Sequence, residues 1–463
     1  MQSVLKSGVI LMLWQALALQ AMTVTNIAPG SATGGSLFLK SDGSLWAMGY
    51  NAYGQLGDGT TNNINRPKQI VSSGVVAVAG GAGHTLFLKS DGSLWGMGYN
   101  FFGQLGDGTF ANTNRPEQIV SNGVVAIAAG PYHSLFLKSN GSLWAMGHNL
   151  SGELGDGTTI RTNQPEQIVT DGVAAIAAGG LASLFLKSDG SLWATGDNRY
   201  GQLGDGTSGT YNQTNMPEQI VSNGVVAIAA GGLHTLFLKS DGSMWAMGCN
   251  DFGQLGDGTT VSTNRPKQII SSNVVAIATG GDHSMFIKTD GSLWAMGWDL
   301  YGQLGDGTAP SEPIYNYYTN TPVQIVPEDV VAIAGGSAHS LFLKSDGSLW
   351  GMGYDADGEL GDDFSSPSNS ENFAPSPEKI VPSPQPVLMV NVSSGTNLQI
   401  HATSQFGGVF RLLARTNLTQ PLNQWTPVWT KSVTTRGTNN VTATLTNLLG
   451  AGAGQQYFIL QSQ

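Results

Sequence analysis

Short runs in which hydrophobic residues alternate with small or polar ones recur along most of the chain. In residues 224–259 these runs are VVAIAAG, HTLFLKS and SMWAMG, and a PEQIV-like segment completes each copy. In the second run Leu236 and Leu238 point to one face, and Phe237 and Lys239 point to the other. Glycine or Asp-Gly, a tight-turn pair typical of hairpins, bounds the runs. The pattern predicts four short antiparallel strands.

This four-strand unit occurs seven times. Its tryptophans are 49, 49, 49, 52, 49 and 56 residues apart, at Trp46, Trp95, Trp144, Trp193, Trp245, Trp294 and Trp350. One small sheet cannot bury both of its faces, so neighbouring copies must cover each other. Seven copies fit a closed β-propeller, and the first copy, from Val24, has the same apolar pattern as the others. The small residues of the W-A-M-G and A-A-G-G segments suit strands near the axis. A parallel β-helix is the alternative, but its repeats are much shorter.

Composition agrees with a folded, glycine-rich β protein. Glycine supplies 64 of 463 residues and charged residues only 11%, but hydrophobic residues supply 40%, which disfavours disorder. The net charge of −11 disfavours nucleic-acid binding. The single cysteine, Cys249, excludes an internal disulfide and a multi-cysteine metal site.

The two ends of the chain differ from the repeats. Residues 1–21 predict a secretory signal peptide, with Lys6, an apolar run and small residues for cleavage, and the alternative is an ordinary N-terminal tail. No other run is long enough for a transmembrane helix. We therefore expect a propeller over 22–382, a Pro-rich linker at 383–386 and a six-stranded β-sandwich over 387–463. FRLLARTNLTQPLNQWTPVWT is similar to short C-terminal β-modules of secreted bacterial proteins.

Polar residues that recur at one position in most copies belong to the frame in our interpretation. Five histidines stand 11 residues before a repeat tryptophan: His84, His133, His234, His283 and His339. Symmetry places them in different blades, so we predict that they and the seven tryptophans are structural. Each imidazole should bond backbone of its own blade rather than a metal ion. Each LGDGT loop has one aspartate, which favours a turn over a calcium site. No set of catalytic residues or cofactor motif stands out, so we expect no enzyme activity, metal or cofactor.

The unit GxxHTxxLxxDGxxWxxGxNxxGQLGxG, followed by P-x-x-V/I, resembles the repeat of the regulator of chromosome condensation (RCC1) family over residues 24–382. That resemblance implies a seven-bladed β-propeller. Founding members are nucleotide exchange factors for a small GTPase and bind chromatin, and relatives include adaptor, enzyme-regulating and secreted inhibitory proteins. An acidic and exported chain argues against exchange activity here.

Positions that differ between copies are the candidates for function. The first variable position directly follows the W-x-M-G segment, which is W-A-T-G in the fourth copy, and the second variable position lies three residues later. The sixth copy also carries the insertion APSEPIYNYYTN. Their aromatic residues predict a partner-binding rim: Tyr50, Tyr53, Tyr99, Phe102, Tyr200, Phe252, Trp298, Tyr301, Tyr315, Tyr317, Tyr318 and Tyr354. The alternative is that these rings pack between blades.

These observations predict a secreted or cell-surface protein that is monomeric and binds a protein partner of unknown identity. One alternative is inhibition of an extracellular enzyme, such as a β-lactamase, by capping its active site. The other is guanine-nucleotide exchange for a small GTPase, which only the family resemblance implies.

Overall fold

The structure is a computed structural model that describes residues 23–30, 35–308, 317–361 and 373–381, and the backbone of six strands between residues 387 and 462. The predicted signal peptide at 1–21, the linker at 383–386 and Tyr315 lie outside the described residues. One compact unit spans Val24–Pro382, and the other contains Ser383–Gln463.

Seven four-stranded antiparallel sheets, blades 1 to 7, form the larger unit. The first strands of the blades are β1 Val24–Pro29, β5 Val75–Gly80, β9 Val124–Ala129, β13 Val173–Gly179, β17 Val225–Ala230, β21 Val274–Thr279 and β25 Val330–Gly335. The second strands are β2 Ser36–Lys40, β6 His84–Lys89, β10 His133–Lys138, β14 Ala182–Lys187, β18 His234–Lys239, β22 His283–Lys288 and β26 His339–Lys344. The third strands are β3 Leu45–Gly49, β7 Leu94–Gly98, β11 Leu143–Gly147, β15 Leu192–Asp197, β19 Met244–Gly248, β23 Leu293–Trp298 and β27 Leu349–Tyr354. The fourth strands are β4 Ile64–Val71, β8 Thr113–Val120, β12 Thr162–Val169, β16 Gln213–Val221, β20 Thr263–Ile270, β24 Tyr318–Val326 and β28 Phe373–Val381.

The blades form a closed ring, which confirms the predicted seven-bladed propeller. Each first strand contacts the first strands of both neighbouring blades, and β1 contacts both β5 and β25. The first strands therefore surround the axis, and every blade consists of four consecutive strands. Packing closes the ring without the exchange of a terminal strand between blades. The expectation that the W-A-M-G segments lie near the axis is wrong, because they form the third strands.

Both faces of each sheet are buried, because each blade covers the next. Leu37 and Leu39 of blade 1 pack with Phe87 of blade 2. Phe38, between them in sequence, points the other way and packs against Leu341 of blade 7. Leu37 and Leu39 are each 2% exposed, and the other three side chains have no exposed surface. Full burial of one such side chain contributes about 1.5–3 kcal/mol, so the interfaces between blades are the core of the propeller.

The loop that joins the third and fourth strands of each blade reaches across to the next blade. In blade 1 this loop contains Gly54 at φ +81°, where an added Cβ would lie 2.5 Å from the Cα of Asn114 in blade 2. Only glycine tolerates both this conformation and this approach. In blade 7 Gly358 lies in the same way against Asn65 of blade 1. The loops therefore link each blade to its successor and help to close the ring.

The C-terminal unit contains the six strands that the sequence predicts. They are β29 Val387–Val392, β30 Leu398–Ser404, β31 Gly408–Arg415, β32 Thr426–Val433, β33 Asn439–Leu445 and β34 Tyr457–Ser462. They pair into two antiparallel three-stranded sheets, in the orders β29-β30-β33 and β32-β31-β34. Face-to-face packing of these sheets as a sandwich stays a prediction. Within the described parts of the chain, no helix has the length and hydrophobicity needed to cross a membrane.

Candidate protein-binding face

The propeller has two chemically different faces. At one face, which we call the hairpin face, tight turns join the second and third strands of each blade, such as Asp42-Gly43 in blade 1 and Asn140-Gly141 in blade 3. At the other, which we call the loop face, the third strands end and the long loops, such as residues 50–63, begin. Both variable positions follow the third strands, so they lie on the loop face.

The hairpin face repeats one arrangement in all seven blades. Asp42 accepts a hydrogen bond from the Ser44 hydroxyl at 2.6 Å, and Ser44 accepts one from Nε1 of Trp46 at 2.8 Å. The ammonium of Lys40 lies 3.8 Å from the centre of the Trp46 ring. The backbone N–H of Ser44 also donates to Asp42, at 2.9 Å. In blade 3 Asn140 replaces the aspartate and accepts the corresponding two bonds from Ser142. The structural role of the tryptophans stays a prediction. Their half-burial between the lysine ammonium and the serine hydroxyl gives that prediction a physical basis.

The five histidines are buried at the loop-face end of the second strands. His84 is 1% exposed, and its Nε2 lies 2.9 Å from Oγ of Ser134 in the next blade. The prediction that each imidazole bonds backbone of its own blade is therefore wrong. The same contact joins His133 to Ser183, His234 to Ser284, His283 to Ser340 and His339 to Ser36. It crosses five of the seven interfaces between blades, because blades 1 and 4 have no histidine at this position.

The serine hydroxyl fixes the protonation of the imidazole. Ser134 donates its single hydroxyl proton to the carbonyl oxygen of Gln104 at 2.7 Å. The contact with His84 therefore requires that Nε2 carries a proton and donates it to Oγ. Burial, followed by the neighbouring His133, lowers the pKa of His84 to about 3, so the ring is neutral at ordinary pH.

The LGDGT aspartates organise the long loops. Asp58 accepts hydrogen bonds from the backbone and hydroxyl of Thr60 and from Nδ2 of Asn51, at 2.9, 2.8 and 3.3 Å. Lys68 donates to its second oxygen at 2.7 Å. Among the described residues, no three His, Cys, Asp or Glu side chains are grouped so that they could hold a metal ion.

A first aromatic cluster lies on the loop face across blades 1 and 2. We define it as Tyr50, Tyr53, Tyr99 and Phe102. The ring centres of Tyr50 and Tyr53 are 6.3 Å apart, those of Tyr53 and Tyr99 are 4.7 Å apart, and those of Tyr99 and Phe102 are 6.1 Å apart. Tyr53 is 38% exposed, and the other three are half-buried. The rings thus lie against each other and remain partly exposed to solvent.

A second aromatic cluster lies on the same face across blades 5, 6 and 7. We define it as Phe252, Trp298, Tyr301 and Tyr354. Successive ring centres are 5.8, 5.5 and 5.2 Å apart, and all four side chains are half-buried. Eight of the predicted rim residues therefore form two continuous groups, each of which spans more than one blade.

The remaining predicted rim residues lie outside both clusters. Tyr200 of blade 4 is 38% exposed. Tyr318 is 39% exposed and lies opposite Trp298 in the pairing of β23 with β24, and Tyr317, just before it, is half-buried.

Blades 3 and 7 carry glutamates at a position that is glutamine in the other five blades. Burial alone would raise the pKa of Glu153, but the hydrogen bond with Nδ1 of His148 and nearby imidazole charge hold it below its usual value. In Glu359 burial dominates and raises the pKa to about 8, with Asp357 and Asp355 as neighbouring negative groups. Two glutamates in one repeat position therefore have pKa values shifted in opposite directions.

The sequence of the chain matches known family models. The model described as RCC1-like domain matches residues 111–410, which is more than half of the chain. The model of the regulator of chromosome condensation (RCC1) repeat matches residues 42–88, and a second model of that repeat matches residues 75–104. The chain belongs to the RCC1-like domain family.

Solved structures share the fold of this RCC1-like propeller. Prp20p from Saccharomyces cerevisiae, described with its binding to Gsp1p and histones, has a TM-score of 0.64 and 24% identity and covers 75% of this chain and 88% of its own. The same yeast protein bound to Kap60 has a TM-score of 0.62 and 24% identity, with coverages of 73% and 83%. Human WBSCR16 has a TM-score of 0.61 and 26% identity, with coverages of 69% and 86%. No curated protein matches the sequence.

The RCC1-like propeller also places residues on its loop face that sequence reasoning missed. Tyr132 and Phe101 are 37% and 54% exposed and extend the first cluster, with Tyr132 and Phe102 ring centres 5.3 Å apart. The guanidinium of Arg161 lies 5.3 Å from the ring centre of Phe101 and 4.7 Å from that of Phe110. Tyr132 precedes a repeated histidine, and Phe101 precedes the second variable position. A comparison of every position in the copies, rather than two, would have found both.

Proposed function

We propose that this RCC1-like propeller is a scaffold that binds a protein partner through its loop face. The observation that carries the proposal is the pair of aromatic clusters on the loop face, the first across blades 1 and 2 and the second across blades 5, 6 and 7. Partly exposed aromatic rings supply large contact areas at a low cost in side-chain entropy, and they dominate many protein interfaces. The frame residues recur in at least five of the seven blades, whereas the residues at the cluster positions differ from blade to blade.

A structural relative supports a protein-binding function. Prp20p has the same fold and is described with its binding to two kinds of protein, Gsp1p and histones. The likeness at 24% identity concerns the fold, so the partner of this chain is a separate question. We therefore propose a protein-binding function without enzyme activity.

A photo-crosslinking experiment tests the proposal. A photoreactive amino acid at Tyr53, on the loop face, should capture a partner, and the same amino acid at Val76, which is 51% exposed outside both clusters, should not. The captured protein is then purified, and its affinity is measured for wild type and for a Tyr50→Ala, Tyr99→Ala, Trp298→Ala variant. We expect at least a hundredfold loss of affinity, because three interface rings are removed, while the variant still unfolds in a single cooperative transition. Equal affinities would contradict the proposal.

We also propose that the protein acts outside the cytoplasm, on the basis of the apolar run within residues 1–21. The N-terminal peptide of the mature protein, identified by mass spectrometry, tests this. Cleavage near residue 21 supports export, and an intact N-terminus contradicts it.

Guanine-nucleotide exchange is the second candidate function, and membership of the RCC1-like domain family favours it. Release of fluorescent GDP from purified small GTPases tests it. Acceleration by the wild-type propeller that the three-ring variant lacks would support exchange through the same face.

A further inference from the structure

The loop face is not uniform in charge. The loops of blades 5, 6 and 7, at residues 249–262, 298–308 and 354–361, contain seven Asp and Glu residues and no Lys, Arg or His. Lys267 of β20 pairs with Asp257, and burial raises the pKa of Asp299 to about 7 and that of Glu359 to about 8, so the other four carboxyl groups supply most of the negative charge. By contrast, the loops of blades 3 and 4 carry Arg161 and Arg199. The seven recurring lysines lie at the hairpin face, where each is stacked on a tryptophan. The second aromatic cluster thus lies in a sector of the loop face that is rich in carboxyl groups, which we call the acidic sector.

Two carboxyl groups flank the Phe252–Trp298 pair. Asp251 is exposed and directly precedes Phe252 in the chain. The backbone oxygen of Asp282 accepts a hydrogen bond from the Trp298 amide at 2.9 Å, and its carboxylate oxygen lies 3.4 Å from Nε2 of Gln254. Burial and the neighbouring charge of Asp251 raise the pKa of Asp282, so the two carboxyl groups repel each other. A cation beside these rings would relieve that repulsion.

A third carboxyl group lies where the acidic sector meets the first cluster. Asp357 is half-buried, and one of its oxygens accepts a hydrogen bond from Nδ2 of Asn63 at 2.8 Å. Burial followed by nearby groups, Asp357 among them, raises the pKa of both Tyr50 and Tyr354. Asp357 therefore contributes to the electrostatic environment of one phenol from each cluster.

We infer that the acidic sector binds arginine side chains of the partner protein, stacked on Trp298, Phe252 and Tyr354 and paired with Asp251 and Asp357. This inference rests on the proposed binding function and specifies the chemistry of the partner. A guanidinium can lie flat on an aromatic ring and donate two hydrogen bonds to a carboxylate at the same time, which an ammonium cannot do. The partner segment is therefore basic and arginine-bearing.

Binding of a defined peptide to the full chain tests the inference. The probe is a fluorescent peptide of alternating glycine and arginine, and its control has citrulline, which is neutral and has nearly the same shape, at every arginine position. Fluorescence anisotropy is measured at pH 7.5 and at two salt concentrations. We expect the arginine peptide to bind at least tenfold more tightly than the citrulline peptide.

Matched variants separate local recognition from overall charge. Asp251→Asn with Asp357→Asn removes two charges from the acidic sector, and Asp241→Asn with Asp346→Asn removes two from the hairpin face. The control pair should fold, because Asn140 naturally makes the same contacts in blade 3. We expect at least a tenfold loss of affinity for the first pair and less than a twofold loss for the second. A Trp298→Ala, Tyr354→Ala variant should also lose at least tenfold.

Three results would overturn the inference. Equal affinity for the arginine and citrulline peptides would exclude guanidinium recognition, and this comparison needs no variant. Equal losses for the two aspartate pairs would show that only the net charge of −11 attracts the peptide. If the three-ring variant loses the crosslinked partner but the acidic-sector pair does not, the proposed function stands and the partner binds by other chemistry.

Discussion

The hydrogen bonds between the histidines and serines of adjacent blades make a quantitative prediction. Ser134 is fully buried and bridges two groups that belong to the adjoining blade, His84 and the carbonyl of Gln104. The substitution Ser134→Ala removes the acceptor of the imidazole N–H and the donor to the carbonyl in one step. Neither group can reach water, so both remain buried without a partner.

The expected magnitude follows from the number of groups left unsatisfied. A buried polar group that loses its partner costs about 1–3 kcal/mol, so two groups predict a loss of about 4 kcal/mol in the free energy of unfolding. Blade 2 supplies a matched control. Thr85 donates to the carbonyl of Gln55 at 2.8 Å, but it has no histidine partner, because blade 1 has Gly35 at that position. Thr85→Val therefore leaves one group unsatisfied and should cost about 2 kcal/mol.

Equilibrium urea unfolding of the full chain measures both changes. The two variants should lower the midpoint with an unchanged slope, and Ser134→Ala should lower it about twice as far as Thr85→Val. If the two variants are equally stable, the contact from His84 contributes nothing and the hydroxyl acts through the carbonyl alone. If Ser134→Ala costs less than about 1 kcal/mol, the imidazole and carbonyl have found other partners.

Three further predictions concern stability. Gly130→Ala should destabilise the propeller by more than about 2 kcal/mol, because the added Cβ would lie 2.3 Å from the His133 ring. Adding His133→Ala should recover part of the lost urea midpoint. If the effects of the two substitutions simply add, the steric explanation is contradicted. Glu359→Gln should raise the melting temperature at pH 8, since burial raises the pKa of Glu359 to about 8. Glu153→Gln should lower the melting temperature, because it breaks the pair with His148. If both substitutions shift the melting temperature in the same direction, the opposite pKa shifts of the two glutamates are refuted. Burial lowers the pKa of the five buried histidines to about 3 or 4 from 6.5, so the unfolded chain binds more protons below pH 6.5. The free energy of unfolding should therefore fall as the pH falls from 6.5 towards 4, by up to about 1.4 kcal/mol per histidine per pH unit, and titration of the urea midpoint measures this; a flat profile would contradict it.

The seven sheets could be predicted from sequence because their signals are local. Alternation along HTLFLKS, the Asp-Gly turn and the spacing of the tryptophans each depend on a few neighbouring residues. The burial of Phe237 on the face opposite Leu236 also follows once the blades are stacked, since each sheet then has two covered faces. Local pattern and overall packing agree in every copy, as expected for a repeat protein.

The partner of each histidine could not be predicted in the same way. Ser134 lies 50 residues after His84, in the following copy, and nothing in either copy alone indicates the contact. The aromatic clusters also depend on contacts between different copies. Tyr53 and Tyr99 lie in different copies, and only the angle between adjacent blades brings their ring centres to 4.7 Å. Contacts within a copy are encoded in its sequence pattern, whereas contacts between copies require the geometry of the ring.

The two glutamates illustrate how this frame accommodates function. In blade 3 Glu153 replaces a glutamine, and the change to His148 at the first variable position supplies a partner for the buried carboxylate. In blade 7 the same change places Glu359 beside Asp357, where a second carboxyl group makes ionisation harder. A buried carboxyl group without a cation costs stability that glutamine would retain, because glutamine at this position accepts the same backbone bond, as Gln55 does from Tyr53. A frame of seven mutually supporting blades can tolerate that loss, and the loss falls in the acidic sector, directly beside Asp357.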